Sequence, residues 1–262
     1  MNSVLTRLTA IFLIQPETAY VLAPRYQTTI LARLKRRATP LSTLTAAAEA
    51  GDAQALAQHW DYIRRRNWRI TTVAHTAARN GHLRALRWLF ANDRRWNRRD
   101  THCINAARNG HLRTLRWLRV NGARWTTSVI TAAAVGGHLH VLQWARANGY
   151  AMDEDAMRGA ARFGRQHVLQ WLRDNSCPWS ASVMADAAAH GDLQVMKWLR
   201  EQGCPWDAQT TASAAWNGNV ENMEWLRANG CHRDTRAWAM ANEKENNGAM
   251  IAWLEQNGYV HD

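Results

Sequence analysis

One phrase recurs along this chain and fixes most of what it can fold into. Around Gly110 it reads AARNGHLRTLRWLRVNGARW, and variants return until the chain ends. The turn glycines are Gly51, Gly81, Gly110, Gly137, Gly164, Gly191 and Gly218; the first two intervals are 30 and 29 residues and the last four are all 27. Seven residues after each of the last six stands a tryptophan: Trp88, Trp117, Trp144, Trp171, Trp198 and Trp225. A period of this length predicts a solenoid of stacked supersecondary units. Such arrays present long surfaces to partners and rarely enclose a catalytic pocket.

Each unit reads as two short helices. Ser128, Asp155 and Ser182, again 27 apart, suit the N-cap of the first helix, where a side-chain oxygen accepts orphan backbone N–H groups. Ala106-Ala107, Ala160-Ala161, Ala187-Ala188 and Ala214-Ala215 close that helix and let its neighbours approach. The second helix ends on Asn121-Gly122, Asn148-Gly149 or Asn229-Gly230, a left-handed C-cap signal, and Pro178 and Pro205 follow where no helix continues. Leu112, Leu115 and Leu118 line one side of a second helix, Trp117 another, and Arg113, Arg116 and Arg119 the solvent stripe. That apolar arc fits a helix held between two neighbours. No sustained period-two alternation appears, so the expected fold is all-α.

The pattern Ala77-Ala78-Arg79-Asn80-Gly81-His82, repeated around Gly110-His111 and Gly137-His138, resembles the ankyrin repeat. The likeness covers about residues 41–262 and implies an ankyrin-type solenoid of about eight helix-turn-helix units, with residues 1–40 as a separate basic segment. It departs from the family in two ways. The usual period is about 33, so the β-hairpin fingers are expected to be shortened or absent. The Thr-Pro-Leu-His opening is also lost, leaving only His75. The tryptophan-rich form, with Cys177-Pro178-Trp179 and Cys204-Pro205-Trp206, looks like ankyrin arrays of large DNA viruses of protists and of some algae.

Charge is unevenly spread. Residues 1–131 hold 22 Lys/Arg against 6 Asp/Glu, net +16, whereas residues 132–262 hold 11 against 15, net −4. Arg64, Arg65, Arg66, Arg94, Arg95, Arg98 and Arg99 concentrate the excess near inter-repeat loops and are the candidate polyanion-facing residues. The segment 1–40 is arginine-bearing with Glu17 its lone acid, which suits a cap over the first repeat or an organellar transit peptide. No apolar run approaches the roughly 18 residues of a membrane helix.

Metal, redox and cofactor chemistry find no motif. Cys177, Cys204 and Cys231 share one register position, too far apart in stacked units for disulfides, and no zinc spacing occurs. His82, His111 and His138 also share a position, but Arg165 stands there in another repeat, and no metal-ligand set tolerates arginine. Of the 15 tryptophans, those of the second helix, Trp253 included, read as core. Trp96, Trp125, Trp179 and Trp206 read as staples between repeats. Trp216 differs, because its counterparts Arg79, Arg108, Val135, Arg162 and Ala189 are too mixed for a core position.

The resulting expectation is a non-catalytic, monomeric scaffold of a reducing intracellular compartment, without cofactor or metal. Its protein-binding groove would be lined by the two residues before each turn glycine: Arg79, Asn80, Arg108, Asn109, Arg162, Phe163, His190, Trp216 and Asn217. The alternative is a nucleic-acid- or ribonucleoprotein-associated protein using the basic half. No helix-turn-helix, zinc finger or RNA-binding signature accompanies those arginines. Any polyanion binding is therefore expected to be weak, indifferent to sequence and lost near physiological salt as counterions are released.

Overall fold

The computed structural model describes residues 40–60, 68–93, 100–190, 193–245 and 247–259; side chains are described from residue 45, and those of Trp68 and Arg69 are left aside. Among the described residues there is no strand, and the helices alternate strictly between first and second members of a pair. The first helices are α1 (Pro40–Ala50), α3 (Trp68–Arg79), α5 (Thr101–Arg108), α7 (Thr127–Gly136), α9 (Glu154–Arg162), α11 (Ala181–His190), α13 (Ala208–Asn217) and α15 (Ala237–Asn242). Their partners are α2 (Ala53–Gln58), α4 (Leu83–Asn92), α6 (Leu112–Val120), α8 (Leu139–Ala147), α10 (Gln166–Asp174), α12 (Leu193–Glu201), α14 (Val220–Ala228) and α16 (Gly248–Gln256). The chain is an all-α repeat solenoid. Residues 1–39, Trp96, Gly191, Asp192 and all seven candidate polyanion-facing arginines lie outside the described residues.

Side-chain size dictates how the pairs stack. The first helices carry alanine pairs with no accessible surface, such as Ala77-Ala78, Ala106-Ala107, Ala160-Ala161 and Ala187-Ala188. Successive first helices accordingly pack closely against each other, whereas successive second helices barely touch. The closer layer lies inside the curve, so the first helices face the concave side and the second helices the convex one. Between the layers runs one seam of Leu86, Leu89, Leu115, Leu118, Leu142, Leu169, Leu172, Met196 and Leu226, all essentially inaccessible.

The tryptophans of the second helices are not part of that seam. Trp88, Trp117, Trp144, Trp171, Trp198, Trp225 and Trp253 are half-buried and pack against its outer edge. The physical reason is the splay of the convex layer, which leaves one side of each indole open to solvent. The residues after the turn do join repeats. Trp125 meets Trp144 at 5.6 Å and lies flat on Tyr150 at 4.2 Å, and Trp206 meets Trp225 at 5.7 Å. Guanidinium groups cover the same turns, with Arg173 4.2 Å above Trp179 and Arg200 4.1 Å above Trp206.

Helix ends follow the sequence at one terminus and depart from it at the other. Most second helices close on asparagine, whose Nδ2 donates to the tryptophan carbonyl four residues back: Asn121 to Trp117, Asn148 to Trp144, Asn175 to Trp171, Asn229 to Trp225; α2 closes on His59 and α12 on Gln202 instead. Gly122, Gly149 and Gly230 then take φ of 85°, 80° and 77°. First helices, however, begin two residues before the expected caps. Thr126 and Asp153 occupy the extended N-cap positions, and the Asp153 carboxylate accepts from the Ala156 N–H at 3.2 Å. Ser180 likewise accepts from the Ser182 N–H, so Ser128, Asp155 and Ser182 are exposed residues of the first turn. These earlier residues also bond across repeats, Thr126 to Asp100 at 3.1 Å and Ser180 to Glu154 at 2.5 Å.

Leu172→Ala is expected to destabilise the array by about 2–5 kcal/mol, since it opens a cavity in the seam. Urea unfolding followed by far-ultraviolet circular dichroism measures this, and a loss below about 1 kcal/mol is incompatible with the packed seam.

Candidate functional site

The turn between the helices of a pair positions every residue of the expected groove. Gly51, Gly81, Gly110, Gly137, Gly164 and Gly218 all have positive φ, 66° to 84°, which an L side chain seldom adopts. A second constraint comes from the following repeat. A Cβ on Gly81 would lie 2.6 Å from Nδ1 of His111, one on Gly110 2.6 Å from that of His138, and one on Gly51 2.7 Å from that of His82. Each histidine therefore packs on the turn glycine of the preceding unit, and His138 also flanks Gly136 of its own.

The other ring nitrogen completes the contact. His82 Nε2 donates to the Glu49 carbonyl and His111 Nε2 to the Arg79 carbonyl at 2.9 Å; His138 engages the Arg108 backbone in the same way. These carbonyls belong to the last turn of a first helix, where no intrahelical donor exists. Arg165 substitutes for the ring, its Nε donating to Val135 O at 3.0 Å while its Cδ lies over Gly137. Asn247 does the same at the far end, donating to Ala215 O at 3.0 Å and lying over Gly218. At these five sites a donor lies flat on the glycine of the preceding unit, which places these residues in architecture. The cysteines are architectural too: Cys177, Cys204 and Cys231 are buried and free, and each thiol donates to a carbonyl 24 residues earlier. Burial pushes Cys177 up to about 11 and Cys204 to about 12, so neither is a ready nucleophile.

The expected groove residues sit at the tips of the first helices. Arg79, Asn80, Arg108, Arg162, Phe163 and His190 are exposed, with Phe163 50% accessible; Asn109, Trp216 and Asn217 are half-buried. Several are engaged with one another. An Nη of Arg162 donates to Nε2 of His190 at 2.7 Å, which requires the neutral ring. His190 meets Trp216 edge-on at 5.8 Å, and Lys244 Nζ lies 5.0 Å above Trp216 while donating to Asn217 O at 2.8 Å. Trp216 is thus held between its neighbours rather than projecting freely. Asn80 and Asn109 donate to the Thr76 and Asn105 carbonyls and act as caps.

Further down the concave face, polar side chains pair across repeats, a feature that the repeat phrase alone does not announce. Arg158 Nε bonds Asp186 at 2.7 Å, with Asp155 3.4 Å from the same guanidinium, and His75 is hydrogen-bonded to Thr101 at 2.7 Å. A cleft of about 760 Å³ opens at the loop edge between Arg119, Trp125, Thr126 and Tyr150. Its groups satisfy each other, Arg119 Nε donating to the Tyr150 hydroxyl at 2.8 Å. Among the described residues no group of three His, Cys, Asp or Glu is arranged to hold a metal ion.

These geometries meet a comparison with known proteins. Residues 74–119 match the family model of the ankyrin repeats (many copies). That stretch runs from α3 to α6 and contains the Gly81–His111 contact and its carbonyl bond. Among solved structures the chain is similar to the human ASB11 ankyrin repeat domain, with 19% identity over 80% of this chain and 97% of that one, TM-score 0.42. It is also similar to the maize pentatricopeptide repeat protein PPR10, with 16% identity over 93% of this chain and 45% of that one, TM-score 0.36. No curated protein matches the chain. Among the described residues no helix is long and apolar enough to cross a membrane.

The Gly110–His138 contact can be measured by a double-mutant cycle. Gly110→Ala is expected to cost about 1–2 kcal/mol from its left-handed backbone alone, and more while His138 is present. In a His138→Ala background the cost should fall toward the backbone value; an unchanged cost means that the ring does not press on the glycine.

The histidines also set a pH response. Burial is the main cause holding His138 below the ordinary 6.5, assisted by His140, His111 and Arg165 and opposed by the Arg108 carbonyl. Burial likewise lowers His190, with Arg162 and Lys244 assisting and Asp186 opposing. A depressed histidine stabilises the fold while neutral; below 6.5 the unfolded chain takes the proton first. Stability should therefore fall as pH drops through about 6.5 and level off below the folded-state values. Urea midpoints measured between about pH 8 and 5 read this out, and a midpoint that rises on acidification contradicts it.

Proposed function

We propose that the whole described array is an ankyrin-type scaffold and that it works by binding a protein partner on its concave face, without catalysis. The observation that carries this reading is the contact of a turn glycine with a donor from the next repeat. It occurs inside residues 74–119 and recurs beyond them at Gly110–His138, Gly137–Arg165 and Gly218–Asn247. Its effect is a rigid lip that holds Arg79, Arg108, Arg162 and Phe163 in register and leaves them exposed. Buried, high-pKa thiols and self-paired polar groups support a binding rather than a reacting surface. In this reading the protein is an intracellular adaptor. The likeness to tryptophan-rich viral, protist or algal arrays belongs to the same proposal.

Site-specific photo-crosslinking tests it. A photoreactive residue at Phe163 on the concave lip should capture a discrete protein from source-cell lysate, and nuclease treatment should leave the adduct intact. The same group at Val120, 85% accessible at the end of α6, should capture none of it. Equal capture at both positions, or capture abolished by nuclease, contradicts the concave protein-binding reading.

A further inference from the structure

Within the concave surface, charge is paired at close range in one row and not in the next, where Glu49 lines the same recess as Arg79 but makes no ion pair with it among the described residues. Arg158, in the middle of α9, is flanked by Asp155 and Asp186. Arg79, Arg108 and Arg162, at the ends of α3, α5 and α9, make no ion pair among the described residues, and all three are exposed. Among the described residues the side chains of these three arginines make one hydrogen bond, Arg162 to His190, between two basic groups. A cation in the last turn of a helix is favoured by the macrodipole. That benefit is equally open to α7 and α13, which end at Val135-Gly136 and Trp216-Asn217 without one. Dipole compensation therefore does not explain which repeats carry arginine.

Repeat geometry converts the row into a ruler. Arg79 and Arg108 stand on consecutive first helices, Val135 and Gly136 hold the next place, and Arg162 follows with Phe163 beside it. Closely packed helices lie about 8–10 Å apart. A polyproline-II segment advances about 3.1 Å per residue with three residues per turn, so it projects one side chain in the same direction every 9 Å or so. An ordinary strand alternates faces every residue and cannot present every third side chain to one row.

From this we infer that the lip docks an acidic protein segment in a polyproline-II conformation, with a carboxylate facing Arg79, the next every third residue facing Arg108, an apolar side chain over Val135–Gly136 against Phe163, and a last carboxylate facing Arg162. The inference rests on the concave protein-binding reading and adds the chemistry and spacing of the partner. Three exposed guanidinium groups give steering and register more than affinity, so the apolar contact with Phe163 supplies the anchor.

The test uses the full chain and a fluorescent synthetic peptide of roughly twelve residues, rich in proline and serine, with glutamates and one leucine at that spacing. Fluorescence anisotropy at physiological salt should show saturable binding. A peptide of identical composition with the glutamates moved by one residue should bind more weakly. Changing Arg79, Arg108 and Arg162 together to glutamine should weaken binding by roughly tenfold, the sum expected of three exposed pairs. Arg87, Arg116 and Arg146, on the convex second helices, serve as the charge-matched control, and their glutamine substitutions should leave binding unchanged. The same lip triple changed to lysine keeps charge and fold, and should retain most of the affinity. Equal losses in the lip and convex triples, or no preference between the two peptides, overturn the inference in favour of a diffuse field. Polyuridylate that displaces the peptide at physiological salt overturns it in favour of nucleic acid. If the peptide does not bind while Phe163 still crosslinks a protein partner, the acidic-segment inference fails and the concave reading stands.

Discussion

The array depends on a contact that never occurs within one repeat. A turn glycine leaves room where a side chain would sit, and a donor from the next unit fills that room and bonds the last carbonyls of the preceding first helix. One residue of the donor type thus satisfies backbone groups, fixes the spacing of two units and sets the direction of stacking. Since each bond joins only neighbours, stability accumulates along the chain as a series of interface terms. Replacement of histidine by Arg165 and Asn247 shows that other flat donors of sufficient reach make the same contact.

Much of this was legible in the residues, and the misses have physical causes. The period, the alanine pairs, the asparagine–glycine ends and the helical class are local signals, and local hydrogen bonding decides them. The first-helix caps were misplaced because Thr126/Ser128, Asp153/Asp155 and Ser180/Ser182 offer capping oxygens two residues apart. Only the extended backbone at the earlier residue settles which one starts the turn. The second-helix tryptophans looked like core residues because a helical projection shows direction without distance. It cannot report that one helical layer is splayed. The pairing of histidine with glycine was visible as a dipeptide, yet the glycine that each ring covers lies about one period upstream.

The candidate surface was less readable than the scaffold. The positions before each turn glycine could be named from register, and the structure puts all of them at the first-helix tips. Register does not say which are occupied by intramolecular contacts. Trp216 stood out in sequence by its chemistry, but His190 and Lys244 enclose it. Arg79, Arg108 and Arg162 were named with the rest of the lip by register, and the contrast with the neutralised Arg158 sets them apart within it.

The unequal packing of the two helical layers makes this molecule mechanically lopsided. Alanine against alanine leaves the inner row no space to compress, so it behaves as a stiff spine of fixed length. The outer row, whose helices scarcely meet, is a compliant rind that can close its gaps at the expense of exposed indole surface. Bending about the spine is therefore soft toward flattening, since it brings tryptophans of adjacent turns together and removes apolar surface from water. Stretching along the spine is resisted by every glycine contact in turn. A ligand too long for the resting arc would be accommodated by straightening it, with the distances between neighbouring inner helices held constant.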